Sequence, residues 1–445
     1  MSTSLARLSA PKAALKAAAA VAPQSSLVSL SAASLRPTVL AASRSSSASA
    51  LLARRAISSS WSNQRAFPVD PSELPSSSLS PKSSSSAAPA DGTIRHNWTR
   101  QEVSAIYNSP LLDLVFRAAT VHRKCHRKNS VQLCTLMNIK EGGCSENCGY
   151  CSQSSKYATP STPSKLSDVE EVLVEARKAK AKGSTRFCMG AAWREVGGRK
   201  RGFDRILKMV SEIRGLGMEV CTTLGMLTHE QATALKNAGL TAYNHNLDTS
   251  REYYGKVVTS RTYDDRISTI ENVRQAGISV CSGGILGLGE EHEDRVGLIW
   301  EMSRLPEHPE SFPVNALVAI PGTPMEGNEP VDFQTMLRTV ATARIVLCKS
   351  IIRLAAGRHL FSEGEQGMAF LAGANAIFTG ERMLTTPTSS WDQDKGMLER
   401  WGLRPMASFE EDFLQAHGGV STSQAAATAE AKESTASAPT ATETT

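Results

Sequence analysis

Cys144, Cys148 and Cys151, in Gly143-Cys144-Ser145-Glu146-Asn147-Cys148-Gly149-Tyr150-Cys151, are the residues best equipped to do chemistry. Soft sulfur ligands at spacing Cys-x3-Cys-x2-Cys, on a short glycine-bearing loop, suit an iron–sulfur cluster or zinc. A structural zinc or a cluster saturated by cysteines needs a fourth ligand, and none follows in this loop. A 4Fe–4S cluster on three cysteines leaves one iron open, as catalysis at a metal requires. A zinc knuckle, or thiols that are merely buried, is the plainer alternative.

A second set is dispersed. Phe187-Cys188-Met189, Val220-Cys221-Thr222 and Val280-Cys281-Ser282 put one cysteine into each of three apolar runs, and Arg353 interrupts a fourth. A buried cysteine is ordinarily a small hydrophobe. A buried guanidinium costs several kcal/mol, to order of magnitude, unless it is paired. Two readings stay open: inert thiols beside an Arg353–Asp248 ion pair, or a second metal site.

In Tyr243-Asn244-His245-Asn246-Leu247-Asp248, the residues Asn244, Asn246 and Asp248 share strand parity and hence one face. Two amides and a carboxylate fill a core poorly but suit a ligand with ureido, ribose or carboxylate groups. Asn315 joins them if its parity is inward, whereas His245 has the opposite parity and is expected to be packed. Gly190-Ala191-Ala192-Trp193 and Gly283-Gly284-Ile285-Leu286-Gly287-Leu288-Gly289 would let backbone approach a ligand closely.

These residues need a frame. β-branched apolar runs at 131–139, 185–191, 219–223, 242–247, 279–286, 314–319, 351–355 and 376–378 read as strands. Amphipathic segments at 169–181, 203–216, 229–238, 263–276, 291–304, 333–348 and 363–372 read as helices, several closed by glycine. The order is that of an α/β, (β/α)8 TIM-type barrel with the cysteine loop after its first strand, where barrel chemistry gathers. Residues 98–126 read as an N-terminal helical extension covering the opposite end. A doubly wound open sheet is disfavoured because no dinucleotide-type glycine turn follows the first strand.

The chain has 445 residues and a formal charge of +6. No Asp or Glu precedes Asp70, while eight Arg and Lys do, in a region rich in Ser and Ala. That is the composition of an organellar transit peptide, expected over residues 1–66 with a mitochondrial destination. The remaining sequence carries about −2, so no nucleic-acid partner is expected. The longest uncharged run, 17–35, is broken by Pro23, Gln24 and serines and would not span a membrane. A Ser/Pro-rich linker is expected at 67–96, the barrel at 97–414 and a low-complexity tail at 415–445, both termini disordered. Nine cysteines without a secretory signal suggest thiols kept for metal or redox work.

The three-cysteine loop with an aromatic before its last thiol resembles the radical S-adenosylmethionine (SAM) superfamily. Over residues 98–403 the resemblance narrows to the biotin synthases. It is carried by residues 143–157, Ser-Thr-Arg-Phe-Cys-Met-Gly-Ala-Ala-Trp at 184–193, Tyr-Asn-His-Asn-Leu-Asp-Thr at 243–249, residues 280–290 and 384–387. That likeness implies a 4Fe–4S cluster on Cys144, Cys148 and Cys151, and an auxiliary 2Fe–2S cluster on Cys188, Cys221, Cys281 and Arg353. It implies SAM contacts from Tyr150, Gly190, Ala191, Asp248 and Leu288. Dethiobiotin would meet Asn244, Asn246, Asn315, Thr385 and Thr386, with Asn246, Asn315 and Arg353 nearest the chemistry. The implied reaction is reductive cleavage of SAM to a 5′-deoxyadenosyl radical, hydrogen removal from dethiobiotin, and sulfur insertion to give biotin. A ferredoxin- or flavodoxin-type donor, the iron–sulfur assembly machinery, a homodimer and the mitochondrial matrix complete the expectation.

Ser145 and Ser152 stand where many relatives have proline, which should alter loop stiffness only. Cys125, Cys134 and Cys348 match no ligand position and are expected to be structural thiols. Another radical SAM sulfur-inserting enzyme, such as a lipoyl synthase, would need a second cysteine-rich motif near the N-terminus, and no cysteine precedes Cys125. A non-enzymatic iron–sulfur carrier would have no use for the amide face.

Overall fold

The computed structural model describes residues 92–408. The expected leader and low-complexity tail lie outside those residues. The described chain enters through α1 (Arg100–Tyr107) and α2 (Leu111–Cys125). Strands β1 (Ser130–Lys140), β2 (Arg186–Ala191), β3 (Glu219–Thr223), β4 (Ala242–Asn244), β5 (Ser279–Cys281), β6 (Gly284–Leu286), β7 (Ser311–Ala316), β8 (Ile351–Leu354) and β9 (Ala376–Phe378) follow. All pair in parallel, β6 continues the path of β5, and β1 pairs with both β2 and β9. The sheet therefore closes as an eight-stranded barrel, the expected TIM-type fold.

Helices α3 (Val169–Ala181), α4 (Lys200–Gly215), α5 (His229–Asn237), α6 (Arg251–Val257), α7 (Tyr263–Gln275), α8 (His292–Ser303), α9 (Phe333–Val346) and α10 (Glu363–Leu371) alternate with the strands. Their apolar residues recur at helical spacing, as with Phe203, Ile206, Met209, Val210 and Ile213 of α4, all buried. Side-chain caps start several of them, among them Thr228 on α5 and Thr262 on α7. After β9 come a small hairpin, β10 (Arg382–Met383) and β11 (Thr386–Pro387), then α11 (Trp391–Arg400) and β12 (Arg404–Pro405). None of the described helices is long and apolar enough to cross a membrane.

The structure departs from the sequence reading in four places. Strand β7 begins at Ser311 and includes Pro313, although proline lacks the N–H a central strand uses. Its neighbour yields: the ladder lapses between β5 and β6, opposite Pro313, so one expected strand appears as two. Strand β4 stops at Asn244 because the chain's own amides displace the ladder, Asn244 Nδ2 donating to the Cys281 carbonyl and Asn246 Oδ1 accepting from Gly283 N–H. Helices α6 and α11 have short apolar stripes and were not expected.

The fourth departure concerns the barrel's far end. Helices α1 and α2 pack on the outer helices α8 and α9, the Trp98 carbonyl accepting from Trp300 Nε1 at 2.9 Å. Closure at the amino ends of the strands comes instead from the segment after α11. There Met406 packs on Ile351 and Ala376, and its N–H donates to the Val131 carbonyl at 2.9 Å.

At the β5–β6 break an added Cβ on Gly283 would lie 2.0 Å from the Pro313 carbonyl oxygen, a backbone atom that cannot move aside. Gly283→Ala is therefore expected to cost at least about 3 kcal/mol, at or beyond the top of the overpacking range. Thermal unfolding followed by circular dichroism checks this, and an unchanged midpoint would contradict the packing described.

Candidate active site

Strand parity sorts the side chains into two populations. Phe187, Met189 and Val220 point outward into the apolar layer under the helices. Cys188 and Cys221, side by side in register, point inward and pack with Cys134 and Ala242 in a separate cluster. The strand thiols therefore face the barrel interior.

The loop after β1 carries the other thiols over the carboxyl ends of the strands. Gly142 and Gly143 turn it with φ of 63° and 67°, values a side chain would resist. Ser155 N–H donates to the Cys144 carbonyl at 2.7 Å, and Cys151 N–H to that of Cys148 at 3.0 Å. The segment after α6 pins the loop from outside. Gly149 N–H donates to the Val257 carbonyl, and Asn147 Oδ1 accepts from the N–H groups of Thr259 and Ser260. The buried Glu146 carboxylate accepts from Ser260 Oγ and faces Arg261 at 3.7 Å. Ser152 does more than set stiffness: its hydroxyl meets Thr385 Oγ1 at 3.0 Å and ties the loop to the β10–β11 hairpin.

Two cavities result. The upper, about 280 Å³, is lined by Cys144, Cys148, Tyr150, Cys151, Ala191, Trp193, Asp248, Arg266, Thr385 and Thr386. The lower, about 130 Å³, is lined by Cys188, Gly190, Cys221, Cys281 and Arg353. Asn244, Asn246, Asn315 and Leu384 line both and form the wall between them. Leu384 adopts φ of 48° at the hairpin tip, and its Cδ2 lies 2.7 Å from where a Cβ on Gly190 would be. Gly190 is thus required by a side chain from another loop.

The amide wall is held rigid by its own bonds. Asn315 donates to the Gly284 carbonyl and accepts from Ala356 N–H, and Asn244 Nδ2 reaches Cys281 Sγ at 3.4 Å. Asp248 pairs with the buried Arg266 and not with Arg353, which corrects one alternative raised by the sequence. Tyr150 Oη donates to the same carboxylate at 3.0 Å. Burial opposes the charge on Arg266, but Asp248 outweighs it and holds the guanidinium above its ordinary range. Arg353 is 1% exposed; its terminal nitrogens donate to Cys134 Sγ and to Gln132 Oε1, while Nε has no partner. Leu288 lies in the apolar core, with Gly287 and Gly289, at φ of 92° and 96°, turning the chain on either side of it. His245, expected to be packed, is buried against Tyr243. Sequence reasoning missed Arg266 and Arg261, which reach the site from the α6–α7 region and carry no local signal, and Glu146, which lies within the cysteine loop itself.

Burial raises the Cys144 and Cys148 thiols, and pushes Cys151 up to about 12 with Cys148 adding to it. Metal binding at these thiols must therefore release protons. Among the described residues no three His, Cys, Asp or Glu side chains stand close enough to share one ion.

A parallel barrel with a three-thiol loop at its mouth defines the radical SAM class. The Radical SAM superfamily model matches residues 140–299, and the Biotin and Thiamin Synthesis associated domain matches 313–404. Among solved structures, methylornithine synthase superposes with a TM-score of 0.61 at 18% identity, covering 72% of this chain and 96% of that one. The hydrogenase maturase HydG of Carboxydothermus hydrogenoformans gives 0.59 at 18%, over 71% and 76%. Both show the fold alone.

Sequence relatives are more specific. The chain is 59% identical to biotin synthase of Schizosaccharomyces pombe, over 71% of this chain and 88% of that one. It is 55% identical to mitochondrial biotin synthase of Arabidopsis thaliana, over 76% and 91%, and 56% identical to the Cytophaga hutchinsonii enzyme, over 71% and 94%. The chain belongs to the biotin synthase family and is a radical SAM enzyme.

Proposed function

We propose that this enzyme converts dethiobiotin to biotin by inserting sulfur between two unactivated carbons. The observation that carries the reading is the pair of thiol sets, one at the barrel mouth and one beneath it, sharing a wall of three amides. Cys144, Cys148 and Cys151 would hold a 4Fe–4S cluster, and Cys188, Cys221, Cys281 and Arg353 a 2Fe–2S cluster. The unpartnered Nε of Arg353, the inward-facing Cys188 and Cys221, and Cys281 lining the same lower cavity support the second assignment. When bound, the first cluster with SAM supplies a carbon radical and the second supplies the inserted sulfur.

The chain's own part is positioning. Asn244, Asn246 and Asn315 present fixed amide groups to a ureido ring, with Thr385 and Thr386 opposite. Tyr150, the Gly190–Ala191 turn and the Arg266-braced Asp248 are placed to receive SAM. Met383, Leu384 and Trp193 keep water from the space where a radical would otherwise be quenched. A small ferredoxin- or flavodoxin-type electron donor, renewal by the iron–sulfur assembly machinery and a homodimeric state belong to the same reading. So do a mitochondrial leader over 1–66, a linker over 67–96, the barrel over 97–414, a tail over 415–445 and residence in the matrix.

Mössbauer spectroscopy of the purified enzyme with dethiobiotin is the direct test. Two iron populations, one cubane-like and one binuclear, are expected, and Cys144→Ala with Cys148→Ala should remove the first and spare the second. A single population would overturn the two-site reading.

A further inference from the structure

Cys125 and Cys348 take part in neither thiol set. Cys125 is the last residue of α2, and Cys348 lies just beyond α9, before β8. Their sulfurs converge on one acceptor. Cys125 Sγ donates to the Gly92 carbonyl at 3.5 Å and Cys348 Sγ to the same oxygen at 3.2 Å. The Cys348 S–H is also within reach of the Cys125 sulfur and would donate to it once Cys125 is a thiolate. Cys125 is half-buried and can be reached from solvent, whereas Cys348 is wholly buried behind it.

Among the described residues, the charges acting most strongly on this pair are positive: Lys124 beside Cys125, Lys349 beside Cys348, and Arg344 from α9. Arg344 is anchored there, Nη1 donating to the Cys348 carbonyl at 2.9 Å and the Ser350 carbonyl at 2.8 Å. The Cys348 hydrogen bond, then Lys349, Arg344 and Lys124, hold the Cys125 thiol down at about 6 against the effect of burial. The loop thiols Cys144, Cys148 and Cys151 move the opposite way. A thiolate is the form that attacks a peroxide, and an adjacent thiol is what turns the product into a disulfide.

We propose that Cys125 and Cys348 form a reversible oxidation site, with Cys125 the nucleophile, Cys348 the resolving thiol and hydrogen peroxide the oxidant. The Cys125 thiolate attacks one peroxide oxygen, the O–O bond breaks, and the departing hydroxide is protonated to water, leaving a sulfenic acid. The Cys348 sulfur then attacks the sulfenyl sulfur, the S–O bond breaks, and a second water leaves with the thiol proton. The two sulfurs lose the electron pair that the peroxide gains. The disulfide joins the end of α2 to the turn that enters β8, at the end of the barrel away from both cavities. It is independent of the assignments made to the loop and strand thiols.

The test uses the anaerobically purified holoenzyme, treated with equimolar hydrogen peroxide, alkylated with iodoacetamide and mapped as peptides without reduction. A Cys125–Cys348 crosslinked pair is expected, lost on treatment with dithiothreitol. Before oxidation Cys125 should alkylate at pH 7 about two- to sixfold faster than an unperturbed thiol, its larger thiolate fraction partly offset by lower nucleophilicity. Cys348→Ser should leave the Cys125 sulfenic acid unresolved and open to trapping by dimedone. Wild-type enzyme in which Cys125 stays a thiol, passes to sulfinic acid uncrosslinked, or pairs with another cysteine overturns the proposal.

Discussion

Cys188→Ser and Cys281→Ser should each still cleave SAM and yet form no measurable biotin. The reason is geometric separation. Both residues line the lower cavity only, whereas the three loop thiols line the upper one. A serine hydroxyl fills nearly the same space as a thiol but is a hard, weakly acidic donor, so an iron held there, as proposed, would lose its soft ligand. Loss of an outer-shell partner commonly costs about 10–100-fold in metal affinity, and a lost direct ligand should exceed that. Single-turnover assays measuring 5′-deoxyadenosine and biotin in the same sample decide the matter. Full biotin yield from either variant would show that the strand thiols are structural, and loss of SAM cleavage as well would show that the two sites are not separable.

This separation was partly legible in the sequence. Period-two alternation in Phe187-Cys188-Met189 and Val220-Cys221-Thr222 places the thiols opposite the large apolar residues, and the structure puts those apolar residues under the helices. The loop could be read because its ligands are local. Residues that brace the site from a distance could not be read. Arg266 lies on an ordinary amphipathic helix, and nothing near it in the chain indicates a buried carboxylate 18 positions earlier. The same holds for Met406, which plugs the barrel floor from beyond the last helix, and for Leu384, whose contact explains Gly190. Strand β4 was overextended for a related reason: period-two patterning records which way side chains face, and it cannot show that Asn244 and Asn246 will satisfy the backbone groups that a longer ladder would have used.

Asp248→Asn should destabilise the enzyme first and weaken SAM binding second. The carboxylate is 1% exposed and Arg266 3%, so removing the negative charge leaves a guanidinium buried without its counter-ion. Breaking such a pair from one side costs about 3–5 kcal/mol. In a domain of this size that corresponds to a fall in melting temperature on the order of 5–10 °C. Asparagine is the informative replacement because Asp248 sits at φ of 68°, a conformation that asparagine tolerates and alanine does not. The backbone anchors, Asp248 N–H to the Gly283 carbonyl and Ile285 N–H to the Asp248 carbonyl, are therefore preserved. Tyr150 keeps an acceptor but loses an anionic one. Combining Asp248→Asn with Arg266→Met removes both charges and should restore most of the melting temperature, since replacing a buried pair by apolar volume is often neutral. SAM affinity, measured by equilibrium titration of the reconstituted enzyme, should stay low in the double variant if the carboxylate itself faces the cofactor. Recovery of both stability and SAM affinity would reduce Asp248 to a partner of Arg266, and a single variant as stable as wild type would mean that the pair contributes nothing to the fold.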